Sequence, residues 1–351
     1  MKIAVLVSGG VDSSVALTLL KNQGHELEAF YLKIWLEDEL SYLGNCPWTE
    51  DLEYAQGVCD KLGVPLHVIP LQKEYHELVV AYAIEQVRMG KTPSPDLMCN
   101  EQIKFGCFYN AIDASFEKVA TGHYAQLEER DGLVHLMQAK DPVKDQTYFL
   151  SRLNQTQLQR ALFPIGHLMK PEVRELAQQF DLPTKARKDS QGICFLGKIH
   201  FGDFIKHHVG TRVGDLIEFE TGKKLSQHEG FWFYTIGQRK GIGLSGGPWY
   251  VVAKDVEKNI VYISSKYHDP EKLRNQCDVE QFNWTCGLKP DKQQLGLKLR
   301  HGPHFYQCSV SFSSDGTNAH LVLDGCDQGI APGQFAVFYD EDECLGSGVI
   351  R

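Results

Sequence analysis

The sequence predicts an α/β protein, with a parallel sheet that has helices on both faces, followed by two small, mainly β domains. In the first two hundred residues, apolar strand-like runs alternate with helical patterns, which is typical of a parallel sheet. From Gly210 the pattern changes to short β runs broken by turn residues, and the last part of the chain has regular strands without a long helix. We therefore divide the 351 residues into domains at 1–208, 209–271 and 272–351.

The elements of the first domain follow from apolar spacing and from the residues that end each run. We expect strands at 3–7, 27–35, 64–70, 118–125 and 133–139. We expect helices from residue 15 onward and at 50–62, 73–89, 101–115 and 171–180. Gly63 and Gly90 end two of these helices, and Pro171 begins another, as is common for these residue types. Later strands are expected at 215–219, 249–253, 260–263, 308–312, 320–323 and 335–339.

The stretch 8–14, Ser-Gly-Gly-Val-Asp-Ser-Ser, joins the first strand to the first helix. Backbone N–H groups at a helix N-terminus lack partners within the helix, and the helix dipole there favours an anion. Gly9 and Gly10 let the backbone approach a ligand or adopt a positive φ. Asp12 can cap the helix or orient a metal ion bound to phosphate. The loop is therefore a candidate phosphate site at the carboxyl edge of the sheet.

Two common phosphate-binding motifs do not occur in this loop. It contains neither the Gly-x-x-x-x-Gly-Lys-Ser/Thr run of the Walker loop nor the Gly-x-Gly-x-x-Gly run of dinucleotide-binding folds. The pattern Ser-Gly-Gly-x-Asp-Ser is instead similar to the pyrophosphate loop of enzymes that split ATP between its α and β phosphates and adenylate a substrate. A serine- and glycine-rich turn without a ligand is the alternative.

Cys99 and Cys194 are candidates for nucleophilic chemistry. Cys99 follows a proline-rich stretch at the predicted start of helix 101–115, where the helix dipole favours a thiolate. Asp96, three residues earlier, can position a substrate or act as a general base. The thiolate of Cys194 would be favoured by three nearby basic residues, Lys185, Arg187 and Lys188. A capping carboxylate and buried structural cysteines are the alternative.

The composition is that of an ordinary globular protein, 42% hydrophobic and 23% charged. Because no long apolar run and no leader sequence is evident, we expect a cytoplasmic protein with no membrane segment. The net charge of −9 does not favour a nucleic-acid partner, although residues 181–240 hold ten basic against seven acidic side chains. The ten cysteines form no Cys-x-x-Cys pair, so we assign no metal ligands among the side chains.

Several further motifs follow one another in order along the chain. They are Asp96-Leu97-Met98-Cys99-Asn100, Ala120-Thr121-Gly122-His123-Tyr124, Lys144-Asp145-Gln146, Gly192-Ile193-Cys194-Phe195, Thr235-Ile236-Gly237-Gln238-Arg239-Lys240-Gly241 and Pro332-Gly333-Gln334. Together with the loop at 8–14, they resemble the tRNA-specific 2-thiouridylases over nearly the whole chain. The resemblance implies an adenine nucleotide α-hydrolase-like catalytic domain, a small central β-rich domain, and a C-terminal β-barrel that contacts tRNA.

The resemblance also implies roles for individual residues. Cys99 would be the nucleophile, Cys194 would carry a persulfide, and Asp96 would be the third catalytic residue. The ATP contacts would be Leu6, Val7, Ser8, Gly9, Gly10, Val11, Asp12, Ser13, Leu32 and Gly122. The tRNA contacts would be Ser94, Pro95, Asp96, His123, Lys144, Asp145, Gln146, Arg300, His301 and Gln334.

The implied reaction is sulfur transfer to C2 of the wobble uridine. ATP, bound with Mg²⁺, would adenylate the C2 oxygen, and sulfur from the Cys194 persulfide would replace that oxygen. The sulfur attacks C2 directly, or Cys99 first releases it as sulfide by forming a disulfide with Cys194. The implied partners are tRNAs that accept lysine, glutamate or glutamine, and a sulfur-relay protein or cysteine desulfurase.

Three other hypotheses remain open from the residues. The same kind of ATP loop serves ligases that deliver ammonia to an adenylated small molecule. A module that binds RNA or a nucleotide without catalysis would also keep the loop. Cys99, Cys194 and a third ligand such as Asp96 would together suffice for a metal cluster, although their spacing gives no support for one.

Overall fold

The computed structural model describes residues 1–34, 48–189, 201–267, 269 and 274–351. Its first sheet has five strands in the order β3-β2-β1-β4-β7, and every neighbouring pair is parallel. The strands are Lys2–Leu6 (β1), Glu26–Lys33 (β2), Leu66–Pro70 (β3), Lys118–Ala120 (β4) and Ala161–Leu162 (β7). Because β1 and β4 are neighbours, the loops that follow them lie side by side at the carboxyl edge of the sheet.

Helices cover both faces of this sheet, which confirms the predicted α/β class. One face packs against α1, α2 and α7, and the other packs against α3 and α4. The bounds are Val11–Asn22 (α1), Trp48–Leu62 (α2), Thr147–Leu150 (α5), Gln155–Arg160 (α6), Lys170–Gln179 (α7) and Phe201–Val209 (α8). Helix α3 runs through Gln72–Tyr75, His76–Val80 and Ala81–Arg88, and α4 runs through Pro95–Met98, Cys99–Cys107 and Phe108–Ala111; the middle segment of each is π-helical. None of the helices in the described ranges is both long and apolar enough to cross a membrane.

The position of strand β1 in the middle of the sheet explains why its sequence is an unbroken apolar run. Ile3 and Val5 point into the core on the side of α1, whereas Ala4 and Leu6 point into the core on the side of α3 and α4. All four side chains are buried. A strand in the middle of a parallel sheet with both faces covered has no solvent side, so no polar alternation is expected.

The prediction of a helix at 101–115 was wrong at its start. Helix α4 begins at Pro95, with Ser94 at the N-cap position and Asp96 in the first turn. Proline fits the first helical position, because its missing N–H would have no partner within the helix there. Cys99 therefore lies more than one turn inside the helix, and its side chain is only 1% exposed.

The second sheet has four short strands in the order β10-β11-β8-β9. They are Gly214–Glu218 (β8), Lys224–His228 (β9), Tyr250–Asp255 (β10) and Ile260–Ser264 (β11). The pair β11 and β8 is parallel, and the other two pairs are antiparallel. The sheet packs on a small core of its own that includes Leu216, Phe231 and Val261.

The last strands form a closed six-stranded barrel, as the resemblance implied. They are Gln276–Trp284 (β12), Gln294–Lys298 (β13), Tyr306–Phe312 (β14), Asn318–Leu323 (β15), Phe335–Asp340 (β16) and Glu343–Ile350 (β17), and the pairing of β12 with β17 closes the ring. A hairpin of the first domain, Gln126–Arg130 (β5) and Leu133–Met137 (β6), extends this sheet. Its β6 pairs with β17 at Glu343 and Cys344.

The first domain and the barrel share one hydrophobic core. Ala336 and Phe338 point into the barrel, whereas Phe335, Val337 and Tyr339 pack into the cluster beneath the parallel sheet. Strand β16 is therefore buried on both sides, like a central strand. Because the hairpin and the core both cross it, the boundary between the predicted domains 1–208 and 272–351 is a packed interface; the division itself stays a prediction.

Candidate active site

The loop at 8–14 connects β1 to α1, and two glycines are required by its packing. Gly9 has a φ of +72°, and a Cβ there would lie 2.2 Å from the backbone oxygen of Asp51. Gly122, in the loop after β4, would place a Cβ 2.6 Å from the backbone nitrogen of Ser13. Both contacts are shorter than real Cβ atoms make. The two loops at this edge are therefore in backbone-to-backbone contact, and no side chain fits between them.

Serine hydroxyl groups stabilise the loop by forming hydrogen bonds with its own backbone. The Ser13 Oγ accepts a hydrogen bond from the Ser8 N–H at 3.2 Å and donates one to the Gly10 carbonyl at 3.2 Å. The Ser14 Oγ donates to the same carbonyl at 2.8 Å. Gly10 precedes the helix and supplies no side-chain cap for the first N–H groups of α1. The fold therefore presents an uncapped helix N-terminus at the position predicted for phosphate.

A network of charged side chains and one tyrosine lies beside this N-terminus. The Asp12 Oδ1 accepts hydrogen bonds from the Tyr124 hydroxyl at 2.9 Å and from the Lys170 Nζ at 2.7 Å. Lys170 also pairs with Asp189 at 2.8 Å. Partial burial alone would raise the pKa of Asp189, but hydrogen bonds and charge from Lys144 and Lys170 outweigh it and hold that pKa well below its usual range. Asp189 is therefore ionised throughout the physiological pH range.

The positive side chains of this network outnumber its carboxylates. Lys144 pairs with Asp189 at 2.7 Å, and Arg174 binds the same carboxylate. Three cations thus bind the Asp189 carboxylate. One of them, Lys170, also binds a second carboxylate, that of Asp12. A polyphosphate placed at the helix N-terminus would meet this excess of positive charge, which favours its binding.

Several members of this site were missed by the sequence analysis. Arg187 donates hydrogen bonds to the Gly9 carbonyl at 2.8 Å and to the Asp51 carboxylate at 2.7 Å, so it links the loop at 8–14 to helix α2. The contact joins residues 178 positions apart, and no local pattern could predict it. Lys170 did carry a signal, because a cation is unfavourable in the first turn of a helix such as α7 unless an anion faces it.

The basic cluster before Cys194 is used differently from the prediction. Lys185 pairs with Asp181, and Arg187 pairs with Asp51 and the loop. Both side chains already have carboxylate partners. Stabilisation of a Cys194 thiolate by either of them would therefore compete with these ion pairs. Cys194 itself, within the stretch 190–200, lies outside the described residues. The backbone that leads to it is held at Asp189 by Lys170, which also binds Asp12 of the loop.

Helix α4, which carries Cys99, reaches the same edge of the sheet through aromatic contacts. The ring of His123, next to Gly122, lies 6.1 Å from Phe105 of α4 and 6.0 Å from Phe163. Burial, and to a lesser extent the charge of Lys104, lowers the pKa of His123 well below its usual value, so its imidazole is neutral. Its Nδ1 is 2.7 Å from the Thr121 hydroxyl. His123 thus links Gly122 to α4, and its predicted contact with tRNA stays a prediction.

The three residues Lys144, Asp145 and Gln146 occupy different environments. Lys144 is partly exposed and bound to Asp189. Asp145 is only 2% exposed, and its carboxylate accepts hydrogen bonds from the Thr147 hydroxyl and from the Lys298 Nζ of the barrel. Gln146 forms two hydrogen bonds with the backbone of Tyr124, each 2.9 Å long. The side chains of Asp145 and Gln146 therefore position this loop in the structure described here.

The barrel residues predicted to contact tRNA flank the start of α4. The ring of His301 lies 4.6 Å from that of Phe149, and burial lowers the pKa of His301. Arg300 pairs with the buried Asp327 at 2.8 Å. Gln334 follows Gly333, where an added Cβ would lie 3.0 Å from the backbone oxygen of Thr92. The barrel therefore forms one wall beside the stretch that contains Ser94, Pro95 and Asp96.

Models of known families match nearly the whole chain. The tRNA methyl transferase HUP domain matches residues 1–198, the tRNA methyl transferase PRC-barrel domain matches 202–265, and the aminomethyltransferase beta-barrel domain matches 274–350. The tRNA-specific 2-thiouridylase MnmA of Parabacteroides distasonis is 47% identical, over 100% of this chain and 99% of its own. The chain belongs to the tRNA-specific 2-thiouridylase family. A 2-thiouridylase of Porphyromonas gingivalis is 46% identical over the same shares, so the resemblance inferred from the motifs is confirmed.

Solved structures similar to this 2-thiouridylase family member are much more distant. A predicted tRNA methyltransferase subunit from Methanocaldococcus jannaschii has 18% identity and a TM-score of 0.34, over 60% of this chain and 86% of its own. A 4-thiouridine synthetase in complex with RNA and ATP has 15% identity and a TM-score of 0.35, over 59% of this chain and 49% of its own. At these scores we draw no conclusion from either structure.

Replacing Gly122 by alanine should impair the loop at 8–14 without unfolding the protein. The added Cβ would force the Ser13 backbone away from the loop after β4, so we expect ATP to bind at least about tenfold more weakly. Isothermal titration with a non-hydrolysable ATP analogue measures this. The matched control is Gly202→Ala, which also adds a methyl group, has no positive φ and has no heavy atom within 4 Å of the added Cβ. Equal affinity of the Gly122→Ala variant and the native protein would contradict the prediction.

Proposed function

We propose that this chain is a tRNA uridine 2-sulfurtransferase that acts on the wobble uridine. The C2 oxygen attacks the α-phosphorus of ATP, and pyrophosphate leaves. The terminal sulfur of a persulfide on Cys194 then attacks C2. The thiolate of Cys99 attacks the Sγ of Cys194 and forms a disulfide, which breaks the bond to the terminal sulfur and leaves the electron pair on it. That pair forms the thiocarbonyl as the adenylated oxygen departs with AMP. A dithiol reductant must then restore both cysteines.

The observation that carries this proposal is the meeting of three segments at one edge of the sheet. The loop at 8–14 touches Gly122, and His123 beside it touches α4, the helix of Cys99. The segment that ends at Asp189 is bound to the same loop through Lys170 and Arg187. These contacts support a nucleotide site at the loop, and they join the helix that carries Cys99 to the neighbouring loop. Family membership over the whole chain supports the same function.

The length of the chain is compatible with a second thiol reaching this site. Five peptide units separate Asp189 from Cys194, and an extended chain spans at most about 3.6 Å per residue, or roughly 18 Å in all. Lys170 binds both Asp189 and Asp12, so Cys194 lies within this length of chain from a residue that is held beside the loop at 8–14.

The loop offers a fit for ATP with Mg²⁺. The N–H groups at the start of α1 would hold phosphate oxygens, with Leu32 at the carboxyl end of β2 beside the adenine. Both hydrogen bonds to the Asp12 carboxylate go to Oδ1, so Oδ2 has no partner among the described residues. Asp12 would therefore hold the magnesium ion, which neutralises charge on the phosphates when bound. Lys144 and Lys170 can turn from Asp189 toward the same phosphates.

We infer that tRNA binds along the groove between α4 and the barrel. Ser94, Pro95 and Asp96 would contact the target base, which must leave its stack to expose the C2 edge. Arg300, His301 and Gln334 would contact the anticodon stem-loop from the barrel side. Lys144 is placed to bind a phosphate, whereas Asp145 and Gln146 would act by positioning it. A sulfur-relay protein or a cysteine desulfurase would load Cys194 in the cytoplasm.

One experiment separates this proposal from its alternatives. The protein is incubated with unmodified tRNA, Mg-ATP and a persulfide donor carrying radioactive sulfur, and parallel reactions contain a labelled methyl donor or ammonia with candidate acids. We expect sulfur label in the tRNA, with one AMP formed per sulfur atom and none without ATP. Methyl label in the tRNA would support the reaction named in the family description, and amide formation would support a ligase. Either of these results without sulfur transfer would overturn the proposal. Binding of tRNA with no reaction would also overturn it and would support a non-catalytic RNA-binding module.

A further inference from the structure

Three metal-binding side chains meet at the interface between the first domain and the barrel, far along the chain from the loop at 8–14. They are His135 of strand β6, Cys286 just after β12, and Glu343 at the start of β17. One ligand atom of each lies within 4.8 Å of the others. All three side chains are partly buried and none is closed off from solvent. The sequence analysis assigned no metal ligand, because these residues are far apart in the chain and have no motif spacing.

We propose that His135, Cys286 and Glu343 bind a Zn²⁺ ion, with water as the fourth ligand. Imidazole nitrogen, thiolate and carboxylate oxygen are the three side-chain donors that zinc takes in proteins, and three protein ligands with one open position make a complete tetrahedral set. The ion would join three elements where the first domain meets the barrel: the hairpin of the first domain, the end of β12 and the start of β17.

The observed distances are close to those of a tetrahedral zinc site. With Zn–N and Zn–O near 2.1 Å and Zn–S near 2.3 Å, tetrahedral geometry places nitrogen and sulfur about 3.6 Å apart, and nitrogen and oxygen about 3.4 Å apart. The Cys286 Sγ lies 3.6 Å from the His135 Nδ1. The same Nδ1 lies 2.7 Å from the Glu343 Oε1, which is a hydrogen-bond distance. Binding therefore requires this pair to separate by about 0.7 Å. It also requires the Cys286 Sγ and the Glu343 carboxylate oxygen, which lie within 4.8 Å of each other, to be about 3.6 Å apart.

A catalytic relay does not fit the same atoms. A cysteine–histidine–glutamate relay uses both ring nitrogens, one facing the thiol and the other facing the carboxylate. Here the thiol and the carboxylate both approach the Nδ1 of His135. Convergence of three donors on one point is the arrangement that a metal ion needs, and it leaves no path for a proton from Cys286 to Glu343 through the ring.

Neighbouring side chains already support the three ligands. Arg130 donates to the other carboxylate oxygen of Glu343 at 2.6 Å, which leaves Oε1 directed at His135. Gln155 donates to the Cys286 Sγ at 3.9 Å and to the backbone oxygen of Thr285 at 2.9 Å. Such outer contacts orient metal ligands and stabilise a thiolate. Burial raises the pKa of Cys286 in the metal-free protein, so the thiol must lose its proton to solvent when zinc binds.

Cobalt and zinc titrations test the proposal. The full chain carries Cys99→Ser and Cys194→Ser, so that those thiols cannot contribute, and is freed of metal with a chelator. We expect added Co²⁺ to produce a thiolate-to-cobalt charge-transfer absorption with release of at least one proton, and Zn²⁺ to abolish that absorption by displacing the cobalt. In this background Cys286→Ser should remove the absorption, and His135→Ala should weaken binding by at least about tenfold. The matched control is Cys326→Ser, an exposed cysteine of the barrel, which should change nothing.

The folded state of each variant is checked by circular dichroism and by its metal-free melting temperature. Should Cys286→Ser fail to fold, Glu343→Gln keeps the size of the side chain and removes the charge, so it takes its place. The absence of a thiolate–cobalt band from the parent protein would overturn the proposal. Survival of that band in the folded Cys286→Ser variant would also overturn it. Neither outcome depends on the sulfur-transfer activity, because no step of that reaction is measured.

Discussion

Replacing Cys99 by serine is expected to lower the rate of sulfur transfer by about 10³-fold or more. A serine hydroxyl does not ionise near neutral pH and cannot attack the Sγ of Cys194, so the sulfur stays bound as a persulfide. The side chain is buried and serine is slightly smaller, so the fold should persist. Single-turnover assays measure labelled sulfur in tRNA and AMP release separately. We expect ATP affinity to change by less than about threefold, because the thiol does not form part of the loop at 8–14.

The matched control for this prediction is Cys107→Ser. Cys107 ends the same π-helical segment, is only partly buried, and has no role in the proposed reaction. Burial, followed by the charge of Glu74, raises its pKa, so it is a protonated thiol near neutral pH. This variant should keep its activity within about twofold. If Cys99→Ser retained a tenth of the native rate, or if both variants lost activity equally, a direct role of the Cys99 thiol would be excluded.

Replacing Lys298 by methionine should destabilise the protein by about 3–5 kcal/mol. Lys298 of β13 pairs with Asp145 at 3.2 Å, and their side chains are 9% and 2% exposed. Methionine keeps much of the length of lysine but leaves the Asp145 carboxylate buried without a countercharge. The Thr147 hydroxyl still donates to that carboxylate, and the Ala139 N–H does so at 3.1 Å, but neither neutralises it. The free energy of unfolding in urea measures the effect.

Two further variants separate a lost charge pair from lost packing. Adding Asp145→Asn to Lys298→Met removes the uncompensated charge, so most of the lost stability should return. Lys292→Met breaks the exposed pair with Asp340 next to the same strand, and we expect no change in the denaturation midpoint beyond error. A double variant as unstable as Lys298→Met would attribute the effect to packing. A native-like Lys298→Met would mean that the pair adds nothing to stability.

Local features of the fold were predictable from the sequence, and long-range ones were not. The strand, loop and helix at 2–22 are adjacent in the chain, so apolar spacing and two glycines were sufficient to place them. The hairpin β5–β6 was predicted in part, from the alternation at 133–139, but not its pairing with β17. Such pairing depends on the start of β17, which extends beyond its pairing with β12, and that is a property of the whole topology.

The site was predictable to the same degree. The loop, Gly122 and the neighbourhood of Cys99 follow from motifs that a resemblance can match. Lys170 and Arg187 bind this loop across more than a hundred positions of sequence, and Asp189 joins it only through Lys170. The prediction for the start of α4 was wrong because proline disfavours the interior of a helix but fits its first position, which Pro95 occupies.

The double burial of β16 has a consequence for the order of events during synthesis. A ribosome completes the first two hundred residues long before Phe335, Val337 and Tyr339 leave the exit tunnel. Until then the growing polypeptide holds an unfinished apolar surface under its parallel sheet, exposed to other nascent chains. Strand β16 therefore completes the core of the first domain. A polypeptide truncated before it would expose this apolar surface and would be prone to aggregate.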